Sequence, residues 1–312
     1  MIFFYSILFI SSFVSFTLPD NDFSNKKLCN REVKKENNLY CDTFQNLLLV
    51  IHFNHPYYSN IDFLKKLYSP FFKNIVFYGE KQHKDVLSVF THQGYYLSNV
   101  LIDLFSRFPD YDGYLILQDD CILNYWNFIS LDHTKIWYGT KFNNAEKIDI
   151  TPIHTAFNDP WGWKTKDNVL NAQTRIESTE LAYSKLTPKD KKLLEMNLGA
   201  SNTSKSAADF FYIPQKHRES VLRLSDIFQE VFCEIAIPSM IYCLELVNDL
   251  EELRMVWGLG SEWSGHGNVS YESYPRDAHW VHPLKLSNQA NRNFISNIFN
   301  EMLVKSNENN QK

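Results

Sequence analysis

The chain reads GYLILQDD at residues 113–120, an apolar run of strand length that ends in two adjacent acids. An earlier segment, LLLVIHF at 47–53, is also a continuous apolar run, and NIVFYGE at 74–80 is a further segment of strand length. A continuous apolar run is typical of a strand that is buried on both faces, as in a parallel sheet. These three runs therefore predict strands of one central sheet.

Two segments between these runs have helical periodicity. They are IDFLKKLYSPFF at 61–72 and GYYLSNVLIDLFSRF at 94–108, and the second is strongly amphipathic and ends before Pro109. Strands that alternate with helices are typical of a doubly wound α/β sheet, in which ligands bind beyond the carboxyl ends of the strands. Asp119 and Asp120 are predicted to lie at such an end.

The second half of the chain is less regular. ADFFYIP at 208–214 predicts a short strand, residues 217–247 are predicted to be largely helical with a break at Pro238, and residues 248–288 are rich in loops. The expected fold class is therefore α/β, with a doubly wound mixed or parallel sheet and an irregular, loop-rich C-terminal half.

The composition narrows the class of function. The 312 residues are 44% hydrophobic and 21% charged, which is typical of a globular protein with one large or two small domains. Glycine is scarce, at 10 residues, which argues against a glycine-rich phosphate loop. A net charge of −5, without a dense cluster of lysine or arginine, disfavours nucleic acid as a partner.

The N-terminal segment, residues 1–17, is uncharged and mostly apolar. As a helix it would span about 25 Å, less than the roughly 30 Å hydrocarbon core of a bilayer. It is therefore interpreted as a signal peptide or short signal anchor, the alternative being a buried element of the fold. The rest of the chain is expected to form a polar stem at 18–44, a folded domain at 45–300 and a polar tail at 301–312.

The cysteines and the glycosylation sequons are compatible with the secretory pathway. None of the five cysteines forms a CxxC pair, which disfavours a structural zinc site. Cys29 and Cys41 flank a polar segment and are the simplest disulfide pair in an oxidising compartment. Two sequons begin at Asn202 and Asn268.

The acidic pair Asp119–Asp120 is the strongest candidate for chemistry. Two carboxylates in a shared buried site repel each other, and a divalent cation relieves that repulsion. Hard oxygen ligands suit Mg²⁺ or Mn²⁺, and such a cation could stabilise the diphosphate of a nucleotide-sugar as a leaving group. The alternative is a surface loop with two solvated acids.

Candidate partners of this pair lie far along the chain. His279 and His282, in DAHWVHPLKLS at 277–287, are candidate metal ligands, and His282 is favoured. The alternative is that both histidines are structural, as most single histidines are.

Three acids are candidates for a general base: Asp209, Glu230 and Glu234. A continuous helix would place Glu230 and Glu234 on one face, because they are four residues apart. Trp161 and Trp163, in DPWGWK, are candidates for stacking on a sugar or a base, the alternative being a place in the core.

A longer segment, GYLILQDDCILNYWNFISLDHTKIW at 113–137, resembles the central block of the STELLO-type glycosyltransferases described in plants. Shorter similarities occur in the same order over roughly residues 46–290. They are IVFYG (75–79), ADFFYIP (208–214), EV (230–231), AIP (236–238) and VHP (281–283).

The resemblance implies a GT-A-like, nucleotide-diphospho-sugar transferase-like domain in a Golgi-associated protein with a membrane-anchored N-terminus. It implies that Asp119 and Asp120 form the metal-binding, DXD-like acidic motif, with Trp126 beside it at the cofactor. Glu230 and His282 fall at matching positions of the family's motifs. Because the hydrophobic segment begins at Met1, a cleaved lumenal form is the alternative to an anchored one.

The function implied is a Mn²⁺- or Mg²⁺-dependent transfer of a sugar from a nucleotide-diphosphate-sugar to a lumenal glycan, glycoprotein or glycolipid acceptor. Two alternatives remain, a non-catalytic assembly protein and a carbohydrate-binding module, and partners of either could include a second copy of the chain. Metal-dependent nucleotide binding separates the enzyme from both alternatives.

Overall fold

The computed structural model describes residues 42–139, 172–198, 206–258 and 270–309. Several expectations concern residues outside these ranges. They are the N-terminal segment, the stem up to residue 41, the Cys29–Cys41 pair, Trp161, Trp163 and both sequons. In the part of the chain that the structure describes, no helix is both long enough and apolar enough to cross a bilayer.

The described residues form two sheets and a set of helices. The strands are β1 (Leu47–His52), β2 (Asn74–Gly79), β3 (Leu87–Ser88), β4 (Gly113–Gln118), β5 (Ile122–Leu123), β6 (Phe210–Pro214), β7 (Met255–Trp257) and β8 (Trp280–His282). The helices are α1 (Ile61–Tyr68), α2 (Ser98–Arg107), α3 (Ala172–Lys185), α4 (Pro188–Leu198), α5 (Arg218–Ile227), α6 (Cys233–Leu244) and α7 (Gln289–Asn309).

The central sheet has five strands in the order β3-β2-β1-β4-β6. Strand β1 lies in parallel between β2 and β4, whereas β6 runs antiparallel to β4. The predicted α/β class with a mixed, mostly parallel sheet is therefore confirmed. Because the chain passes from β1 outward to β2 and β3 and then returns to β4 on the other side of β1, the topological switch lies between β1 and β4.

Residues of β1 alternate between two hydrophobic cores, one on each face of the sheet. Leu49 and Ile51 belong to one core, and Leu48 and Val50 belong to the other. All six residues of β1 and of β4 are buried. Burial on both faces explains why these strands are apolar up to their last residues, His52 and Gln118.

The second sheet has the order β5-β8-β7, and two of its strands, β7 and β8, lie in the half that was expected to be loop-rich. Strand β5 is antiparallel to β8, and β7 is parallel to β8. These strands are two or three residues long, too short for any alternation of apolar and polar residues to predict them.

The helical break expected at Pro238 is wrong, because Pro238 lies inside α6. A proline cannot donate a hydrogen bond to the carbonyl four residues earlier, which here belongs to Glu234. The backbone N–H of Ser206 donates to that carbonyl instead, at 2.9 Å, so the helix continues through the proline. The break lies at residues 228–232, between α5 and α6.

Both boundaries expected for the folded domain also change. Phe44 is fully buried and its ring stacks on Phe72 at 4.8 Å, so the core begins within the expected stem. Helix α7 runs through position 300 to Asn309, so most of the expected polar tail is helical.

Candidate active site

A cavity of about 530 Å³ lies beyond the carboxyl ends of β1 and β4, at the topological switch of the central sheet. Its volume is in the range of small-molecule sites. The wall is rich in polar and charged side chains. The charged or acid–base residues on it are His55, Asp119, Asp120, Asp209, Glu234, His282 and Lys285.

The acidic pair directly follows β4. The backbone N–H of Asp119 donates to the carbonyl of His52 at the end of β1, at 3.0 Å, and the carbonyl of Asp120 accepts from Leu284 N at 2.8 Å. Both acids are 7% exposed. The parallel pairing of β1 and β4 thus holds both acids at the bottom of the cavity, in buried positions rather than on a solvated loop.

Asp209 reaches the same place because β6 is antiparallel to β4. Phe210, the first residue of β6, pairs with Leu117 near the end of β4, so the residue before it lies at the carboxyl end of β4. The carbonyl of Asp209 accepts from Gln118 N at 2.9 Å, and its side chain is buried.

His282 is brought to the acids by the second sheet. Strand β5 begins two residues after Asp120, and its Ile122 pairs with Val281 of β8, so His282 lies beside the acidic pair. The Nε2 atom of His282 is 3.3 Å from Asp120 Oδ1 and 3.6 Å from Asp209 Oδ1. The ring of Trp257 packs edge-on against His282, with the ring centroids 4.7 Å apart.

Two side chains of the site were not singled out from the sequence. Lys285 contacts Asp120 Oδ2 through its ammonium group, and it lies three residues after His282 in the same segment, DAHWVHPLKLS. His52 is buried under the acids, with no hydrogen-bond partner for either ring nitrogen. The apolar run LLLVIHF predicted its strand but not this proximity.

The charges of the site shift several pKa values. Burial, followed by the Asp120 charge, raises the pKa of Asp119 well above its ordinary value. Burial also opposes ionisation of Asp120, but His282 and Lys285 outweigh it and lower the pKa of that carboxyl. Burial lowers the pKa of His52 to about 4, so its ring is neutral at pH 7.

His282 and Asp209 form a second coupled pair. Burial opposes protonation of His282, but Asp209 and Asp120 outweigh it and raise the pKa of the imidazole. Burial also raises the pKa of Asp209, against the opposing effect of His282. The cavity floor therefore combines several carboxyl groups with the Lys285 ammonium group and the His282 imidazole.

One group of ligand atoms on this floor could hold a metal ion. Ligand atoms of Asp120, Cys121 and His282 lie within 4.8 Å of one another. Cys121 is the poorest match to a hard cation, because burial raises the pKa of its thiol, and Sγ lies 3.4 Å from the carbonyl of Asp209 as a donor. The carboxylate and imidazole groups match Mn²⁺ better than a structural zinc site.

Glu230 lies elsewhere, contrary to the sequence-based expectation. It is exposed in the segment between α5 and α6 and is not part of the cavity wall. Glu234 is in the first turn of α6 and lines the cavity. The two glutamates do not share a helix face, because the helix that would align them begins only at Cys233.

Trp126 and His279 also lie outside the cavity wall. The indole Nε1 of Trp126 donates to the carbonyl of Arg276 at 2.7 Å, and its ring packs against Phe299. His279 Nδ1 accepts from Arg254 N at 2.9 Å. The cofactor contact expected of Trp126 is therefore corrected to a packing role, and His279 is structural.

A mostly parallel sheet flanked by helices, with an acidic cavity at its topological switch, is the arrangement of a GT-A-like fold. No protein-family model matches the chain. The chain is 23% identical over 248 residues to "Probable glycosyltransferase STELLO2" of Arabidopsis thaliana. The aligned stretch covers 79% of this chain and 31% of that protein. It is also 23% identical over 250 residues to "Probable glycosyltransferase STELLO1" of the same plant, with 79% and 30% coverage.

The similarity to STELLO proteins that the sequence motifs indicated is thus found over most of this chain. The chain spans about a third of the length of these relatives.

Proposed function

We propose that the chain is a metal-dependent glycosyltransferase that uses a nucleotide-diphosphate-sugar as donor. The observation that carries the proposal is the cavity at the switch between β1 and β4, which gathers the Asp119–Asp120 pair, Asp209 and His282 from three separate segments. The names of the two relatives support the same class of reaction.

The donor site is proposed at the acidic pair. Asp119, Asp120 and His282 would hold a Mn²⁺ or Mg²⁺ ion, which when bound supplies positive charge to a diphosphate leaving group. Asn60 supports this arrangement, since its side chain hydrogen-bonds Asp119 and also accepts from Arg292 Nη2 at 2.6 Å. These contacts hold Asp119 in position on the cavity floor.

The transfer step breaks the bond between the anomeric carbon and the diphosphate oxygen and forms a bond from that carbon to an acceptor hydroxyl oxygen. The hydroxyl proton passes to a carboxylate of the wall, for which we propose Glu234. Glu234 reaches the wall from α6, a different element from those that hold the acidic pair. Asp209 is the second candidate, but it lies within 3.6 Å of His282 and is engaged there.

The cellular setting belongs to the same proposal. An apolar segment at 1–17 and sequons at Asn202 and Asn268 favour the secretory pathway, with a Golgi membrane or lumenal location. A lumenal glycan, glycoprotein or glycolipid is then the acceptor class.

The proposal is tested by thermal unfolding of the purified chain with UDP, GDP and CMP, with Mn²⁺, with Mg²⁺ and with a chelator. A ligand that binds the folded state raises the midpoint in a concentration-dependent way. We expect one nucleotide to do so only with a divalent cation, and Asp120→Asn to abolish the effect. Asp110→Asn, which removes an exposed acid between α2 and β4, is the matched control and should behave as wild type.

Equal stabilisation of wild type and Asp120→Asn would contradict the proposed site. A protein that binds none of the nucleotides under any condition would favour the assembly or carbohydrate-binding alternative.

A further inference from the structure

Lys285 is the only lysine or arginine on the cavity wall among the described residues. It faces a floor with carboxyl groups of Asp119, Asp120 and Asp209. Its ammonium group contacts Asp120 Oδ2, while His282 lies 3.3 Å from Oδ1 of the same carboxylate. The protein itself thus places an ammonium group at one oxygen of Asp120 and an imidazole near the other.

The backbone around Lys285 is fixed, whereas its head group is accessible. The carbonyl of Lys285 accepts from Asn291 Nδ2 at 2.8 Å, and Leu286 accepts from Arg292 Nε at 2.5 Å, so the start of α7 holds this segment. The Lys285 side chain is 42% exposed, whereas the side chain of Asp120 is 11% exposed. A flexible four-carbon stem on a fixed backbone lets the ammonium group move between partners inside the cavity.

A divalent cation at Asp120 competes with Lys285 for the same carboxylate, because two cations next to one oxygen repel each other. The ammonium group released from Asp120 stays in the cavity, close to the phosphates of a bound donor. A diphosphate gains negative charge when its bond to the sugar breaks, and a preorganised cation at that place stabilises the transition state.

We propose that Lys285 is a catalytic residue that neutralises Asp120 in the ligand-free protein and moves to the diphosphate leaving group when cation and donor bind. This inference rests on the proposed function. It makes binding of the cation and binding of the donor cooperative, because each ligand favours release of Lys285 from Asp120. That release frees Asp120 for the cation and frees Lys285 for the diphosphate.

A purely structural role of Lys285 predicts different changes in cation and nucleotide affinity. If the ammonium group only compensates the buried Asp120 charge, its removal changes cation binding and leaves nucleotide binding unchanged once the cation is saturating. If Lys285 binds the diphosphate, removal of the ammonium group raises the affinity for the cation and lowers the affinity for the nucleotide.

The test measures binding of Mn²⁺ alone, and of UDP and GDP at saturating Mn²⁺, by calorimetry on the intact chain. The variants are Lys285→Met and Lys285→Gln, and the glutamine can still donate a hydrogen bond to Asp120. The matched control is Lys65→Met, since Lys65 is also 42% exposed and pairs with an acid, Asp85, at 3.0 Å, but is not on the cavity wall.

We expect Lys285→Met and Lys285→Gln to bind Mn²⁺ alone more tightly than wild type. We expect them to bind the nucleotide at saturating Mn²⁺ about 10- to 100-fold more weakly, the range for loss of a hydrogen bond to a charged group. Lys65→Met should match wild type in both. Retained nucleotide affinity in a folded Lys285 variant overturns the inference and leaves the proposed function standing, whereas wild-type protein that binds no nucleotide overturns both.

Discussion

The Nε2 atom of His282 lies 3.3 Å from Oδ1 of Asp120, although His282 ends a strand of the small sheet and Asp120 follows a strand of the central sheet. The two sheets are joined at this point by the short connection from β4 to β5. The site therefore depends on the docking of one sheet beside the other.

His282→Gln should weaken Mn²⁺ binding by about tenfold or more, because even residues that only orient metal ligands contribute 10- to 100-fold. Titration with Mn²⁺, followed by calorimetry, measures the change. His279→Gln is the matched control, because His279 lies three residues earlier and bonds Arg254 N outside the cavity. Equal losses in the two variants would show that the effect is structural.

Glu234→Gln should lower the turnover of the donor sugar by about 100- to 10,000-fold, the usual contribution of a general base. Nucleotide affinity should change little, because Glu234 is not proposed to contact the diphosphate. Glu230→Gln should stay near wild type, since Glu230 is exposed outside the cavity wall. Turnover is measured as release of the nucleoside diphosphate from the nucleotide-sugar that binds best. Full activity of Glu234→Gln would transfer the base role to Asp209.

Asp190→Asn should destabilise the fold by about 1–2 kcal/mol at pH 7, because hydrogen bonds to charged groups and helix caps contribute on this scale. The Asp190 carboxylate accepts two hydrogen bonds from Arg223, each at 2.8 Å, and bonds from the backbone and hydroxyl of Thr187 at the start of α4. Burial opposes its ionisation, but Arg223 and Thr187 outweigh it and lower the pKa of Asp190.

The sign of the pH dependence follows from that lowered pKa. The ionised form is stabilised in the folded protein, so the contribution is complete above the unfolded pKa of about 4 and is lost as the pH falls through the lower pKa of the folded state. The stabilities of wild type and Asp190→Asn, measured by chemical denaturation, should therefore differ most near pH 7 and converge as the pH falls through that folded pKa. Asp226→Asn, at an exposed position of α5, should change stability by less than about 0.5 kcal/mol at either pH.

Expression of the full chain in a secretory cell line should give a protein with endoglycosidase-sensitive glycans. The reason is the uncharged apolar segment at 1–17 together with the sequons at Asn202 and Asn268. The glycans are detected as a change in electrophoretic mobility after endoglycosidase digestion. The double variant Asn202→Gln, Asn268→Gln is the control, because it lacks both sequons. A cytosolic product without glycans would contradict the secretory setting, and a new N-terminus near residues 17–19 would show cleavage.

Much of the central sheet could be predicted because its strands carry a local signal. Strands buried on both faces favour continuous apolar runs, and β1 and β4 are apolar up to their last residues, His52 and Gln118. The position of Asp119 and Asp120 followed from the same signal, since they directly succeed β4. The resemblance to STELLO proteins was also visible in this segment and agrees with the similarity found over 79% of the chain.

The expectations that failed depended on contacts and turns that the local sequence pattern does not contain. Pro238 stays in a helix because Ser206 supplies the donor that the helix lacks, a contact that no local pattern contains. Glu230 and Glu234 separate because the chain turns between α5 and α6. Trp126 packs against Phe299 instead of facing the cavity, because α7 covers it.

The sequence by itself determined the order of β1, α1, β2, α2 and β4, the buried character of β1 and β4, and the acidic pair that follows β4. Only the tertiary structure decided which residues join that pair. Asp209 arrives because β6 runs antiparallel to β4, and His282 and Lys285 arrive because β8 pairs with β5. Periodicity records the environment of each residue along its own segment, whereas the pairing of distant strands is set by the packing of the whole chain, so the full site exists only in the folded protein.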